Sequence, residues 1–428
     1  MWTRLILAVG FAALVRAQPD PGELLTRVQG KVAVSLDRLP RYMCTQTIDR
    51  VVYQPKSANS KHGCDEGPAK LSTHPASSDR LRLDVAMATN IEMYSWVGES
   101  RFDDRGLMAM VDGAISSGSF TAYLTGIFRS GGASFTYDGE VIRAGRTLTE
   151  FGFRVPADKS RYLFGNKQHQ VVTGYSGTLL VDPATAELVQ LEIRTNNLPP
   201  QTSACYATTT LDYARVSLKG VEFLLPSTSL LRIYNPDGSE LENRATFSNC
   251  HEFLGESTLT FDAPTDVTPP GQRDGRAAKS VSIPAGLPLG VALTAGIDTA
   301  TAAAGDSIPA KLVTPIRDGF KVLVPAGAPV AARIVGIRQT YGRPPSVSLD
   351  VKLESVAVKG TPVRLVARLT TAVDARNGFR RQRVELGTLR GLADRSATFV
   401  IRNCAQPCLI GSGLESSWVT IPELKNQF

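Results

Sequence analysis

The first periodic segment of the chain has the spacing of a helix. Apolar side chains recur every three or four residues between Asp20 and Pro40, at Leu25, Val28, Val32, Leu36 and Leu39. This spacing places them on one face of an α-helix. Asp20 is a good N-cap, Pro21 suits the first turn, and Pro40 ends the pattern. We therefore predict a helix with one apolar face.

A second helical pattern lies between Asp104 and Phe128. Its apolar positions that share one side are Ile115, Tyr123, Leu124, Ile127 and Phe128. Three glycines interrupt it, namely Gly113, Gly118 and Gly126. Glycine weakens a helix interior, so this pattern predicts two short helices rather than one long helix.

From about Ser134 to Phe261 the apolar period changes from a helical one to two. Val189, Leu191 and Ile193 alternate with polar residues, as a half-buried strand requires. Short turn signals separate such segments, at 137–139, 182–185, 219–220 and 235–238. Strands joined by tight turns form an antiparallel meander.

The stretch from Ala263 to Ser280 is rich in proline, glycine and charge, and it lacks periodicity, which is typical of a linker. Beyond it, alternation resumes, and the turn Pro284-Ala285-Gly286 recurs as Pro325-Ala326-Gly327. A duplicated strand–turn unit favours a small closed β-barrel. The alternative is that Pro-Ala-Gly is a common turn without further meaning.

These patterns predict a two-part chain. Residues 18–262 form an α+β domain in which an antiparallel sheet wraps on helices. Residues 263–280 are the linker, and residues 281–428 form an all-β, barrel-like domain.

The N-terminus has the pattern of a secretory signal peptide. Arg4 precedes an apolar run from Leu5 to Val15, and Ala17 offers a cleavage site. A membrane anchor is the alternative, but a spanning helix needs about 20 apolar residues and Arg16 interrupts this run. We expect residues 1–17 to be removed and the mature chain, which has no other long apolar run, to lie in the periplasm or outside the cell.

The chain's charge limits the possible partners. The 428 residues carry a net charge of +7, and removal of Arg4 and Arg16 with the signal peptide leaves +5. Spread over this length, that charge is too small to indicate nucleic-acid binding. It is compatible with mild attraction to anionic lipid headgroups or polysaccharide.

The six cysteines predict disulfide bonds, because an even number in an exported chain favours disulfides over metal ligation. Cys404 and Cys408 are close enough in sequence to form a small loop. The other four, Cys44, Cys64, Cys205 and Cys250, allow three pairings.

Strand geometry reduces these pairings. Simple hairpins at 219–220 and 235–238 leave one strand between Cys205 and Cys250, so the Cα atoms of these two residues should be about 10 Å apart. A disulfide needs Cα atoms within about 7 Å. We favour Cys44–Cys250, which would fasten the two ends of the sheet, with Cys64–Cys205. Cys44–Cys64 with Cys205–Cys250 stays open as the alternative.

Two segments resemble known families. The order of a leading helix, strands, a helical lid and further strands, with Gly177–Pro183 before Leu188–Leu191, resembles the half-barrel of LolA-like lipoprotein carriers. That resemblance implies a curved antiparallel sheet around a helix, with an apolar cavity. Gly305–Ala310, Thr314–Ile316 and Val322–Ala328 resemble the TrbI-like barrels of conjugation and type IV secretion systems.

A third resemblance lies in Cys44–Ile48, which is similar to uncharacterised exported bacterial proteins. It implies no activity.

Motifs for catalysis or metal binding are weak. The histidines His62, His74, His169 and His251 do not stand at metal-ligand spacing. Gly174–Gly177 falls short of a Gly-x-Ser-x-Gly nucleophile motif. Asp298-Thr299-Ala300 has the wrong third residue for an aspartic-protease motif. We assign no catalytic, cofactor or metal residues.

The sequence therefore favours a non-catalytic envelope or secreted protein that binds an apolar or polymeric partner, namely a lipid, a lipoprotein, a glycan or an envelope protein. Two alternatives remain. One is a hydrolase of envelope or extracellular polymer, with acids on the sheet's concave face. The other is a structural adaptor of an envelope complex.

Overall fold

The structure is a computed structural model of the chain. It describes residues 20–56, 64, 73–88, 91–99, 102, 106–116, 120–165, 169–195, 198–252, 283–372, 375–377, 380–382, 384–386, 397–404 and 408–422. The expected signal peptide at 1–17 and the expected linker at 263–280 lie outside these residues. The domain boundaries therefore stay a prediction.

Helices occur where the sequence predicts them. They are α1 (Pro21–Arg38), α2 (Leu107–Met110) and α3 (Ala122–Phe128). The Asp20 carboxylate accepts a hydrogen bond of 3.1 Å from the Glu23 amide and so caps α1. The N-terminal helix and the two short helices are confirmed.

The first half of the chain holds twelve of the described strands. They are β1 (Tyr42–Pro55), β2 (Thr73–Ala88), β3 (Ile91–Trp96), β4 (Ser134–Arg143), β5 (Arg146–Val155), β6 (Leu163–Gly165), β7 (Gln170–Val172), β8 (Tyr175–Asp182), β9 (Glu187–Thr195), β10 (Tyr206–Leu218), β11 (Val221–Tyr234) and β12 (Glu240–Glu252). Antiparallel pairing gives the order β4-β5-β8-β9-β10-β11-β12-β1-β2-β3. The predicted meander is confirmed from β8 to β12, and its expected end at Phe261 lies outside the described residues.

Shorter strands make up the second half. They are β13 (Pro288–Leu293), β14 (Ile297–Asp298), β15 (Ser307–Leu312), β16 (Ile316–Asp318), β17 (Lys321–Val324), β18 (Pro329–Thr340), β19 (Ser346–Val358), β20 (Thr361–Arg364), β21 (Ala367–Ala372), β22 (Ala375–Asn377), β23 (Arg380–Gln382), β24 (Val384–Leu386), β25 (Ala397–Arg402), β26 (Leu409–Ile410) and β27 (Glu415–Thr420). Pairing runs β21-β27-β13-β15-β18-β19-β25-β24, and β20 also pairs with β19.

The predicted fold class, an α+β first domain with an antiparallel sheet wrapped on helices, followed by an all-β, barrel-like second domain, is wrong. The chain is mostly β, and 19 strands from both halves belong to one large antiparallel sheet. The physical reason lies in β2, which is longer than its neighbour β3. Leu83–Ala88 pair with β3, while Ser77–Asp79 are left to pair with β18. The sequence predicts a layer of helices against the first sheet, but α2 and α3 cover only 4 and 7 residues.

The two halves of the chain meet at a junction, where β18 and the segment around Ala304 lie beside β2. Backbone and side-chain hydrogen bonds reinforce this junction. The Arg82 amide donates to the Ala304 carbonyl at 2.7 Å, and the Ala304 amide donates to the Arg80 carbonyl at 2.8 Å. The Arg333 guanidinium, on β18, is buried and donates to the carbonyls of Val97 at 2.8 Å and Gly305 at 2.6 Å. A buried cation is tolerated only when it is paired and hydrogen-bonded. The Arg333 charge is also neutralised by a carboxylate of β19, that of Glu354, at 2.5 Å.

Hydrophobic cores form on both sides of this junction. In the second half, one cluster gathers residues from Leu289 to Trp418. In the first half, Leu24, Val28 and Val32 of α1 pack with α3 and with strands β5, β8, β9 and β10. The buried face of α1 includes Leu24, which the sequence reading did not select.

Disulfide bonds are present, as the even cysteine count predicts. They join Cys44 to Cys250, Cys64 to Cys205 and Cys404 to Cys408, with Cα–Cα distances of 4.1, 5.0 and 5.5 Å. The sequence argument placed the first pair at the two ends of the sheet. In the structure β1 and β12 are hydrogen-bonded neighbours, so this disulfide links adjacent strands at a bulge in their register.

The first prediction concerns loop length. Replacing Cys44 and Cys250 by alanine opens a link between residues 206 positions apart, whereas the same change at Cys404 and Cys408 opens a link between residues 4 positions apart. In the chain-entropy model the two losses are about 5 and about 2 kcal/mol. Urea unfolding of both double variants measures them, and equal losses would contradict this account. Non-reducing peptide mapping of the wild type checks the three pairs.

The second prediction concerns Gly305 at the junction. Its φ is +109°, and an added Cβ would lie 2.0 Å from the Arg82 carbonyl oxygen. Gly305→Ala should therefore lower the free energy of unfolding by about 2–4 kcal/mol, from backbone strain and overpacking together. Gly327→Ala is the control, because that glycine has a φ of +83° but open space around its Cβ. Its loss should be about 1 kcal/mol, and similar losses in urea unfolding would refute the steric account.

Candidate ligand-binding site

A cavity of about 940 Å³ lies between α1 and strands β9, β10 and β11. Its walls are mainly apolar and include Leu124, Leu188, Leu224, Leu225, Phe120 and the Tyr213 ring. Leu36 and Leu39, at the end of α1, are half-buried on the helix side. The site therefore combines an apolar interior with a wall formed by one helix.

Local sequence explains why the cavity opens here. Leu24, Val28 and Val32 bury the first three turns of α1 in the core. Val34, at the cavity, is instead 52% exposed, so the last part of the helix is not sealed against the sheet. On the sheet side, Leu224 of β11 lies opposite Arg215 of β10, which places an apolar and a basic side chain at adjacent positions.

Charged side chains also line the cavity. They are Arg27, Lys31 and Arg38 of α1, Glu187 of β9, Arg215 of β10 and Glu222 of β11. The Lys31 ammonium lies 3.7 Å from the Glu187 carboxylate, and the Arg215 guanidinium lies 2.5 Å from the same carboxylate oxygen. The Lys31–Glu187 pair links α1 to the sheet, and the Arg215–Glu187 pair joins two strands of the sheet.

Tyr213 contributes its ring to the cavity wall, and its hydroxyl is buried and uncharged. Burial, and to a smaller extent the nearby Tyr123, raises the pKa of the Tyr213 hydroxyl well above its ordinary value. The group is therefore neutral at physiological pH. Within the described part of the chain this hydroxyl has no hydrogen-bond partner.

A turn between β8 and β9 supports the same side of the cavity. Lys31 Nζ donates to the Thr185 carbonyl at 2.5 Å. The Asp182 carboxylate accepts hydrogen bonds from the amides of Ala184 at 2.9 Å and Thr185 at 3.3 Å, and it pairs with Arg146. Burial alone would raise the pKa of Asp182, but these contacts outweigh it and the pKa lies below its ordinary value.

The third prediction follows from that depressed pKa. Asp182 binds its proton more readily in the unfolded chain than in the folded protein. The contribution of the ionised carboxylate to the free energy of unfolding is therefore fully present above about pH 4, and it is lost as the pH falls through the folded-state pKa. Asp182→Asn removes this contribution. In urea unfolding, the difference in the free energy of unfolding between wild type and variant should therefore shrink from about pH 6 to about pH 3. A difference that stays constant with pH would contradict the assignment.

The cysteines singled out in the sequence are not among the residues that line this cavity. Cys404 and Cys408 are buried in the core of the second half, and Cys44 is buried in a core of the first half. Disulfides therefore stabilise the scaffold around the site rather than forming the site.

The weak chemical motifs do not assemble into a reactive centre. No group of three or more potential metal ligands occurs among the residues that the structure describes. Asp298 accepts a hydrogen bond from the Ala300 amide at 2.9 Å, as in an ordinary turn. His62 lies outside the described residues.

The basic residues of the cavity were missed by sequence reasoning. Arg27, Lys31 and Arg38 stand at helical spacing beside the apolar face of α1, and a polar stripe at that spacing usually indicates a solvated face. The signal that could have identified them is Val34, an apolar residue within the same stripe.

The comparisons with known proteins give distant structural likenesses. No family model matches the chain, and no curated protein matches it. The chain is similar to a crystal structure of a DUF1329 family protein from Desulfovibrio piger, with 9% identity and a TM-score of 0.26 over 56% of this chain and 96% of that one. A putative outer membrane lipoprotein-sorting protein domain from Vibrio parahaemolyticus has 10% identity and a TM-score of 0.27, over 54% and 93%.

A third similar structure is the MucA/MucB complex of Pseudomonas aeruginosa, with 14% identity and a TM-score of 0.17, over 89% of this chain and 92% of that one. At these scores and identities no property of the three proteins is transferred to this chain. In the described part of the chain, the helices are too short or too polar to cross a membrane.

Proposed function

We propose that this protein is an exported, non-catalytic binding protein that holds the apolar part of a lipid or lipoprotein in the cavity between α1 and strands β9–β11. The observation that carries the proposal is the cavity itself. Its volume of about 940 Å³ is at the upper end of the 300–1,000 Å³ typical of small-molecule sites. Leucine and aromatic side chains form most of its walls.

The composition of the walls favours binding over hydrolysis. A hydrolase needs a pair of acids, or an acid and a base, free to act on the substrate. Of the two acids that line the cavity, Glu187 is already engaged by Lys31 and Arg215, and Glu222 alone does not make a pair. The neighbouring wall residues Leu188 and Leu224 provide contact surface and no reactive group.

The apolar area that a ligand buries gives the binding free energy that such walls supply. Burying about 200 Å² of a ligand's apolar surface is worth about 5 kcal/mol at about 25 cal/mol per Å². By itself this corresponds to a dissociation constant of about 0.2 mM. The cavity can therefore retain an acyl chain, and any tighter binding needs polar contacts as well.

Export is part of the proposal. Stable disulfides form in oxidising compartments, and this chain contains three. The signal-like N-terminus, with cleavage after Ala17, would deliver the chain to the periplasm or the exterior. The division into residues 18–262 and 281–428 belongs to the same proposal.

The fourth prediction tests the cavity with cis-parinaric acid, a fluorescent fatty acid, and its methyl ester. Wild type should bind at least one of them. Leu224→Glu places a charge in the apolar wall and should weaken binding about tenfold or more. Fluorescence titration measures both affinities, and a melting curve verifies that the variant is folded.

Two variants serve as controls. Ile142→Glu makes a similar change on β4 at a side chain that is 79% exposed and is not among the cavity residues, so it should bind like wild type. Leu224→Met keeps the volume of the wall and should also bind. The proposal is wrong if wild type binds neither probe, or if Leu224→Glu binds as well as wild type.

A further inference from the structure

We propose that the cavity selects an amphiphile with an anionic headgroup, whose charge is recognised at the cavity mouth by the basic row Arg27, Lys31 and Arg38 of α1. This inference rests on the proposed function and adds the chemical class of the ligand. The acyl chain would occupy the apolar interior, and the headgroup would stay at the charged, solvent-facing edge.

The charged side chains of the cavity are mostly basic. Four basic and two acidic side chains line the cavity. One of the acids, Glu187, is shared by Lys31, which links α1 to the sheet, and by Arg215 of the neighbouring strand. Arg27 and Arg38 are exposed, and within the described residues neither has an ion-pair or hydrogen-bond partner. The remaining acid, Glu222, is exposed and does not offset both arginines.

Helical geometry places these cations along the mouth. Arg27, Lys31 and Arg38 follow one another at four and seven residues, which keeps them on one side of α1. Arg27 and Arg38 are about 16 Å apart along the helix axis. At about 0.1 M salt the Debye length is about 10 Å, so a headgroup anywhere along this row is near at least one unpaired arginine.

The apolar wall and the basic row together favour a ligand that has both an apolar chain and a negative charge. A wholly apolar ligand gains nothing from the cations. A polar anion without a chain gains nothing from Leu188, Leu224 and the Tyr213 ring. An amphiphile with an acyl chain and a negative headgroup uses both surfaces, and so gains affinity from each of them.

The test compares two probes that share a chain and differ in charge. At about pH 8, cis-parinaric acid is anionic, whereas its methyl ester is neutral. Wild type should bind the acid about tenfold more tightly than the ester. Arg27→Glu/Arg38→Glu should remove this preference by weakening the binding of the acid more than the binding of the ester. Raising the salt from about 0.05 M to about 0.5 M should reduce the preference in wild type.

A matched control carries the same change of charge elsewhere. Arg143→Glu/Arg317→Glu reverses two exposed arginines that are not among the cavity residues, and it should keep the preference for the acid. The inference is overturned if wild type binds acid and ester equally, or if the control loses the preference as fully as Arg27→Glu/Arg38→Glu. Failure to bind either probe would instead overturn the proposed function.

Displacement of bound cis-parinaric acid distinguishes the sources of the anionic headgroup. Oleate represents free fatty acids, and 1-oleoyl-lysophosphatidylglycerol represents phospholipid products. Stronger displacement by one of them than by neutral monoolein supports the proposal and identifies the headgroup as a carboxylate or a phosphodiester. Equal displacement by all three would refute it.

Discussion

The architecture depends on the length of β2. This strand pairs with β1 along one side, while its other side is divided between β3 and β18. An exposed strand edge carries unpaired amides and carbonyls, which favour any partner strand that can reach them. Here β18 satisfies part of that edge, and the segment around Ala304 hydrogen-bonds to β2 beside it. The second half of the chain thus protects an edge that the first half leaves open.

That shared edge explains which parts of the fold were predictable. The helix from Pro21 to Arg38 is encoded locally, by a capping aspartate and a period of three to four, and it could be identified without its surroundings. The meander β8–β12 is encoded by alternation and tight turns in the same way. Pairing of Ser77–Asp79 with β18 joins residues more than 250 positions apart. No local period specifies such a contact, and so the periods along the chain did not predict one large sheet built from both halves.

The candidate site was predictable to a similar degree. The sequence implied an apolar cavity only through its resemblance to LolA-like half-barrels, which rests on the order of helix and strands. Its charged residues do not follow, because Arg27 and Arg38 look like any solvated helix face until the sheet is placed opposite them. Glu187 and Arg215 come from two different strands, and only their pairing in the sheet brings them to Lys31. Predicting the site therefore needed contacts between elements rather than periods within them.

The same contacts determine how the cavity can be both stable and open. The first turns of α1 are anchored by Leu24, Val28 and Val32, and its midpoint is anchored by Lys31 through Glu187 and Thr185. An exposed ion pair is worth only about 0–1 kcal/mol, so the apolar face supplies most of the attachment. Because the fully buried part of that face ends at Val32, and Leu36 and Leu39 beyond it are only half-buried, the last part of the helix lies against the sheet without being fully buried by it. A lining that is apolar but incompletely packed favours an apolar occupant, since filling it restores contacts that the helix alone leaves unmade.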